Sequence, residues 1–244
     1  MGKLNIEDMS MENILSNLRR HLQEGRPLTL YNTYKGIPIT YEAEVAMVDP
    51  NFIGLIVHPY QTVCIRAERR TYLKGKLLPE LLRAYPVSID HVNHIVLLKD
   101  FQIPKSISTD LYNSWVSPTK PIKMEVSSES QEDFMVEMME IAVLEENRVR
   151  VAFEVPEDVP YDRLDEVTLN FRFEPGGEMI LIPGLVNSLT KVRRKDRKRM
   201  EVEGQAIMRD EITILAFIAK REDEIMNQLD KAYKKLRKGK KGKK

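Results

Sequence analysis

Short segments rich in β-branched and aromatic residues, each stopped by a turn signal, recur along this chain and leave it few folds. From residue 122 they read IKMEV, DFMVEMMEIAVL, RVRVAFEV, EVTLNFRF, MILIPGLVNSLTKV and RMEVEGQAI. Turn signals at Glu145–Asn147 and Glu174–Gly177, and a basic run at 193–199, separate several of them. Short strands at regular spacing predict a barrel or a sandwich. A like pattern fills residues 25–103. There PLTLYNTYKGIPITYEAEVAMVDPNFIGLIVHPYQTVCIRA is broken at Lys35-Gly36 and at Asp49-Pro50-Asn51, and AYPVSIDHVNHIVLLKDFQI adds two more strands.

A helical period shows near both ends. MSMENILSNLRRHLQEG predicts a short helix capped by Ser10 and stopped by Gly25, with Ile14, Leu18 and Leu22 on one face. A long helix is expected from Asp210, read as its cap, to about Arg237. Its apolar stripe runs Leu215, Ile218, Ile225, Leu229, Ala232 and Leu236, with Glu222 as the break. That spacing suits packing on a barrel, or a short coiled-coil seam that would make a homo-oligomer. A length of 244 residues favours two domains. The expected fold is mainly β with flanking helices: two small antiparallel β-barrels, an N-terminal helix and a long C-terminal helix. The boundaries fall as 1–103 for the helix and first barrel, 104–121 for a junction, and 122–244 for the second barrel, helix and basic tail.

Chemistry-bearing constellations are sparse. Cys64 is the single cysteine, which excludes an internal disulfide and fits a reducing compartment. It alternates with apolar neighbours in QTVCIRA and reads as a small buried residue. His58, Cys64, His91 and His94, three of the four histidines and the single cysteine, are metal-ligand candidates that strand pairing could bring close. His91 and His94, read on a strand, would point to opposite faces. No Gly-x-Ser-x-Gly elbow and no glycine-rich phosphate loop occurs, and EPGGEM reads as a hairpin turn. Neither catalysis nor a cofactor or metal is expected. Met1-Gly2 opens like a myristoylation signal, but Ile6 stands where Ser or Thr is needed. No apolar run approaches the ~20 residues of a spanning helix. A soluble cytoplasmic protein is expected.

Net charge is +1, so nucleic acid is not advertised by the whole molecule. Two segments are basic all the same. KVRRKDRKRM holds Lys191, Arg193, Arg194, Lys195, Arg197, Lys198 and Arg199, and KAYKKLRKGKKGKK ends the chain. Either would bind polyanions weakly and with strong salt dependence, or stay a solvated loop and tail. The acidic stretches SSESQEDF and EVPEDVPYDRLDE are a counterweight that suits pairing with them.

Residues 114–121, rich in serine and proline, read as a linker, yet they hold the single tryptophan, Trp115. LYNTYKGIPITYEAEVAMV and IVHPYQTVCI resemble the N-terminal domain of one group of two-domain PilZ proteins. EVTLNFRF, MILIPGLVNSL, RMEVEGQAI and the helical IAKREDEI resemble the PilZ barrel and its closing helix. The resemblance implies a cyclic di-GMP site with two motifs. One is Arg-x-x-x-Arg at the junction, whose forks match guanine and phosphate. The other is Asp/Asn-x-Ser-x-x-Gly after an early barrel strand. In LYNSWVSPTKPIKMEV the two arginine positions hold Leu111 and Trp115. In MEIAVLEENRVRV, Glu140, Ala142 and Glu145 stand where Asp, Ser and Gly would fall.

Leu111 and Trp115 are then expected to fill a groove between the domains. Alternatively, Trp115 stacks on a different ligand, with Lys120 and Lys123 for its phosphate. The resemblance implies a non-catalytic signalling or adaptor protein of bacterial motility or surface behaviour. It would act on a protein partner and be unable to bind cyclic di-GMP. The rival readings are a nucleic-acid-binding barrel using residues 191–199 and the tail, and a cyclic dinucleotide receptor with a re-made site.

Overall fold

The computed structural model describes residues 11–78, 80–104, 111–145, 147–193 and 196–239. Ser10, expected as a cap, and the tail beyond residue 239 lie outside them. The chain divides into two compact units. The first comprises Met1–Tyr34, Pro38–Tyr112 and Met226–Lys244; the second comprises Lys35–Ile37 and Asn113–Ile225. Each holds one closed six-stranded antiparallel barrel, so the expected mainly-β fold with two barrels and flanking helices is the observed one.

The first barrel is built from β1 (Leu28–Tyr34), β2 (Ile37–Val48), β3 (Ile53–Ile56), β4 (Thr71–Lys74), β5 (Leu82–Asp90) and β6 (Ile95–Gln102), closed in the order β1-β2-β3-β6-β5-β4. Alternate residues such as Leu28, Leu30, Ile53, Leu55, Leu73, Leu82 and Leu98 are fully buried and make its core. Helix α1 (Met11–Gln23) adds Ile14, Leu15 and Leu18. Its face is turned from the expected one: Leu22 is exposed and His21 is buried instead. His21 Nε2 accepts the Leu77 N–H at 3.2 Å, which leaves Nδ1 as the donor to the Arg26 carbonyl at 3.1 Å.

Two expectations fail in this unit. The stretch IVHPYQTVCIRA does not continue as strand: Pro59–Glu68 is helix α2. Pro59 occupies a first-turn position, the His58 ring accepts the Tyr60 N–H, and Arg69 closes the helix in the left-handed region. Cys64 is buried, as expected, but on a helix. Gln61 of α2 donates to the carbonyls of Leu30 in β1 and Ile39 in β2 at 3.0 and 2.9 Å, satisfying buried backbone acceptors. Second, His91 and His94 sit in the turn between β5 and β6, not on a strand. His94 bonds the Tyr233 hydroxyl at 2.8 Å. No group of three or more His, Cys, Asp or Glu able to hold a metal occurs among the described residues.

The second barrel comprises β7 (Lys123–Ser127), β8 (Phe134–Val143), β9 (Arg148–Pro156), β10 (Glu166–Phe171), β11 (Ile180–Lys191) and β12 (Arg197–Gln205), closed as β10-β11-β12-β9-β8-β7. These are the six segments legible in the sequence. Met124, Val126, Ile141, Val151, Phe153, Leu169, Ile182, Met200 and Val202 fill it. The long helix α3 (Met208–Gly239) covers this core with Ile214 and Ile218. Burying each such side chain contributes roughly 1.5–3 kcal/mol.

The helix starts before Asp210, which is therefore no cap. Asp210 is buried, and its carboxylate accepts the Leu181 N–H at 3.2 Å and pairs with Arg209 at 2.9 Å. The buried stripe is Ile214, Ile218, Arg221, Ile225 and Leu229, while Leu215 is 44% exposed. Of the expected stripe, Ile218, Ile225 and Leu229 are buried within the chain. The polar residue in the buried stripe is Arg221 rather than Glu222. No helix among the described residues is long and apolar enough to cross a membrane.

Candidate functional site: a tryptophan on the outer face of the second barrel

Alternation on three strands decides which side chains face out. On β9 Val149, Val151 and Phe153 point into the core, so Arg150, Ala152 and Glu154 point outward. Cross-strand register sets Ala152 beside Glu140 of β8 and Glu201 of β12, and Arg150 beside Ala142 and Glu203. An outward-facing alanine is ordinarily wet. Ala142 and Ala152 are instead fully buried, because Trp115 packs on both.

Backbone bonds hold Trp115 there. Val116 and Ile141 exchange both N–H···O bonds at 3.0 Å, adding a one-residue bridge to β8. The Trp115 N–H donates to the Gly36 carbonyl at 2.8 Å. Gly36 lies at φ +84, and a Cβ there would meet the Trp115 carbonyl oxygen at 1.9 Å, so only glycine fits. Arg221 donates to the Ser117 carbonyl at 2.9 Å, and the Ser114 hydroxyl bonds Glu222. The serine- and proline-rich segment is thus fixed on the barrel over Ser114–Ser117.

Charged side chains frame the indole. The guanidinium carbons of Arg150 and Arg199 lie 5.9 and 5.7 Å from the ring centroid, within cation–π range. Each arginine is also held by carboxylates: Arg199 by Glu140 at 2.7 Å and Glu201 at 3.0 Å, and Arg150 by Glu203 at 2.5 Å. Arg148 joins Glu203 at 2.8 Å. Burial pulls the Arg199 guanidinium down, but Glu140 and Glu201 outweigh it and hold it above its ordinary value. Burial pushes the Glu203 carboxyl up, yet Arg150 and Arg148 bring it below the usual range. The indole Nε1–H is buried and has no partner among the described residues.

The structure brings together Trp115, Glu140 and Ala142 of the residues singled out from sequence. Leu111 belongs to the first unit, where it is buried with Tyr72 and Leu81. Glu145 is exposed at the β8–β9 turn. Lys120 is exposed before β7, and Lys123 begins β7 in register with Glu137. The run at 193–199 is not a loop throughout: Arg197, Lys198 and Arg199 begin β12. Arg193 is exposed in the turn, and Arg194 and Lys195 lie outside the described residues. Arg197 meets Glu154 at 3.6 Å, and Lys191 meets Glu157 at 2.7 Å. Sequence reasoning missed Arg150 and Glu203, although the alternation of RVRVAFEV carried the signal for Arg150.

No family model and no curated protein matches this sequence. Among solved structures, the chain is similar to the Bacillus subtilis inhibitor of motility MotI/DgrA. The identity is 10% over 82% of this chain and 97% of that one, with a TM-score of 0.43. It is similar to Escherichia coli YcgR in complex with c-di-GMP at 11% identity, covering 94% of this chain and 99% of that one, with a TM-score of 0.40. For the K. pneumonia MrkH–c-di-GMP complex the figures are 11%, 93%, 97% and 0.34. At such identities the likeness is one of fold alone.

Proposed function

We propose that this chain is a non-catalytic PilZ-like signalling or adaptor protein that acts through protein contacts and does not bind cyclic di-GMP. One observation carries the reading. Trp115, at an implied arginine position, lies on Ala142, at the implied serine position, so the residues that would hold the nucleotide cover each other. The nearby arginines already donate to carboxylates, Arg199 to Glu140 and Glu201 and Arg150 to Glu203. A charge-assisted hydrogen bond contributes roughly 1.5–3 kcal/mol. Lacking one at each of two arginine positions costs about 3–6 kcal/mol, or roughly two to four decades of affinity. Motility or surface behaviour is the setting that the sequence resemblance implies.

A second reading, a receptor with a re-made site, has one observation in its favour: the unpartnered indole N–H between two arginines. Calorimetry of the full chain with cyclic di-GMP, beside its linear dinucleotide, separates the two. The expected result is no saturable binding of either at micromolar concentration. Micromolar binding of the cyclic form that disappears in Trp115→Ala would replace the first reading with the second.

A further inference from the structure

The two acidic stretches at 127–134 and 154–166, apart in sequence, meet on one groove of the second unit. It has a volume of about 1260 Å³ and is lined by the first half of β8 and the segment after β9. Phe134 and Tyr161 line it, their rings 5.8 Å apart. Tyr161 is only 3% exposed, and its buried hydroxyl has no partner among the described residues. Met135 and Met139 line the same groove at 61% and 36% exposure. Flexible, polarizable methionine thioethers suit an apolar contact of variable shape. Glu132, Glu137 and Asp158 are exposed carboxylates on the wall, and no ion pair among the described residues involves them. Of the two cations on the wall, Arg197 is already paired with Glu154, leaving Lys123. The lining is therefore apolar at its floor, acidic in excess, and short of one hydrogen-bond partner.

We propose that this groove receives a basic segment of a partner protein, carrying at least one large apolar side chain. The acidic wall selects the sign of the incoming charge and steers the encounter. Phe134, Met135 and Met139 take the apolar side chain. The inference names the partner class for the adaptor reading and rests on it. It does not depend on whether a nucleotide binds near Trp115.

The test is fluorescence anisotropy of labelled fourteen-residue peptides with the full chain at physiological salt. An amphipathic lysine–leucine peptide is compared with a glutamate–leucine peptide of the same pattern and with a lysine–serine peptide. Saturable binding is expected for the first, weaker by roughly tenfold or more for the other two. Glu137→Lys, Asp158→Lys and Met135→Ser change exposed side chains and leave the fold, checked by circular dichroism. Each is expected to weaken lysine–leucine binding roughly three- to tenfold. Equal binding of the glutamate–leucine or lysine–serine peptide overturns the proposal, as does lysine–leucine binding unchanged in the Glu137→Lys/Asp158→Lys double variant. A mass that doubles with concentration by light scattering, and stays monomeric in that double variant, assigns the groove to a second copy of this chain instead. The nucleotide titration is read through Trp115→Ala and the peptide titration through Glu137, Asp158 and Met135, so a failure here and a failure of the Trp115 reading are told apart.

Discussion

Replacing Trp115 by alanine tests the idea that the indole is a packed cover rather than a surface ornament. The side chain is 6% exposed and is the reason Ala142 and Ala152 are dry. Truncating a buried tryptophan costs about 3–5 kcal/mol in lost transfer and cavity terms. Two cation–π contacts, with Arg150 and Arg199, add about 0.5–1 kcal/mol each. Against this, the substitution removes an unpartnered buried N–H whose burial costs about 1–3 kcal/mol. The expected loss is centred on about 3–4 kcal/mol. Trp115→Phe separates the contributions, since it keeps a ring on the two alanines and removes the N–H; a loss under about 1.5 kcal/mol is expected. Urea unfolding followed by far-UV circular dichroism gives all three midpoints. In the wild type, the fluorescence of the single tryptophan reports the second unit directly. A loss below about 1 kcal/mol for Trp115→Ala, or equal losses for alanine and phenylalanine, would refute the packed-cover argument.

Two other outcomes are expected. Burial pushes the Cys64 thiol up to about 12. With an unfolded thiol near ~8.5, native alkylation at pH 8 should be at least roughly three decades slower than in denaturant. The raised value also means that stability is intact below the unfolded value and falls as pH climbs above it; rapid native labelling would contradict the burial. Glu203 has the opposite sign. Its folded value lies below that of the unfolded chain, so its contribution is present above about pH 4.3 and is lost as pH falls through the lower folded value. Glu203→Gln should flatten the acid limb of a urea-midpoint series between pH 3 and 7, and an unchanged slope would show that the Arg150 and Arg148 pairs do not matter.

Local alternation made the second barrel readable: six segments with inward apolar and outward polar residues became β7 to β12, since a strand's faces follow from a period of two. It was the resemblance to PilZ proteins, not alternation, that singled out Trp115, Glu140 and Ala142. Other features were not local. Pro59–Glu68 is rich in residues that suit strands, and it became helix α2 because Gln61 and its neighbours satisfy and fill the end of the first barrel. On α3, Ile214 and Leu215 are adjacent and equally apolar, and a sequence pattern accepts either. The direction of the barrel core buries Ile214 and leaves Leu215 wet.

The sequence by itself therefore determined the strand segments, the two-barrel class and the odd composition of the junction. Tertiary structure alone decided what Trp115 does. Its burial depends on two alanines, two arginines and their carboxylates from β8, β9 and β12, which are brought to one face only when the barrel closes and the register is set. Such a site is a sum of cross-strand neighbours, and chain order does not encode neighbours between strands until pairing fixes them.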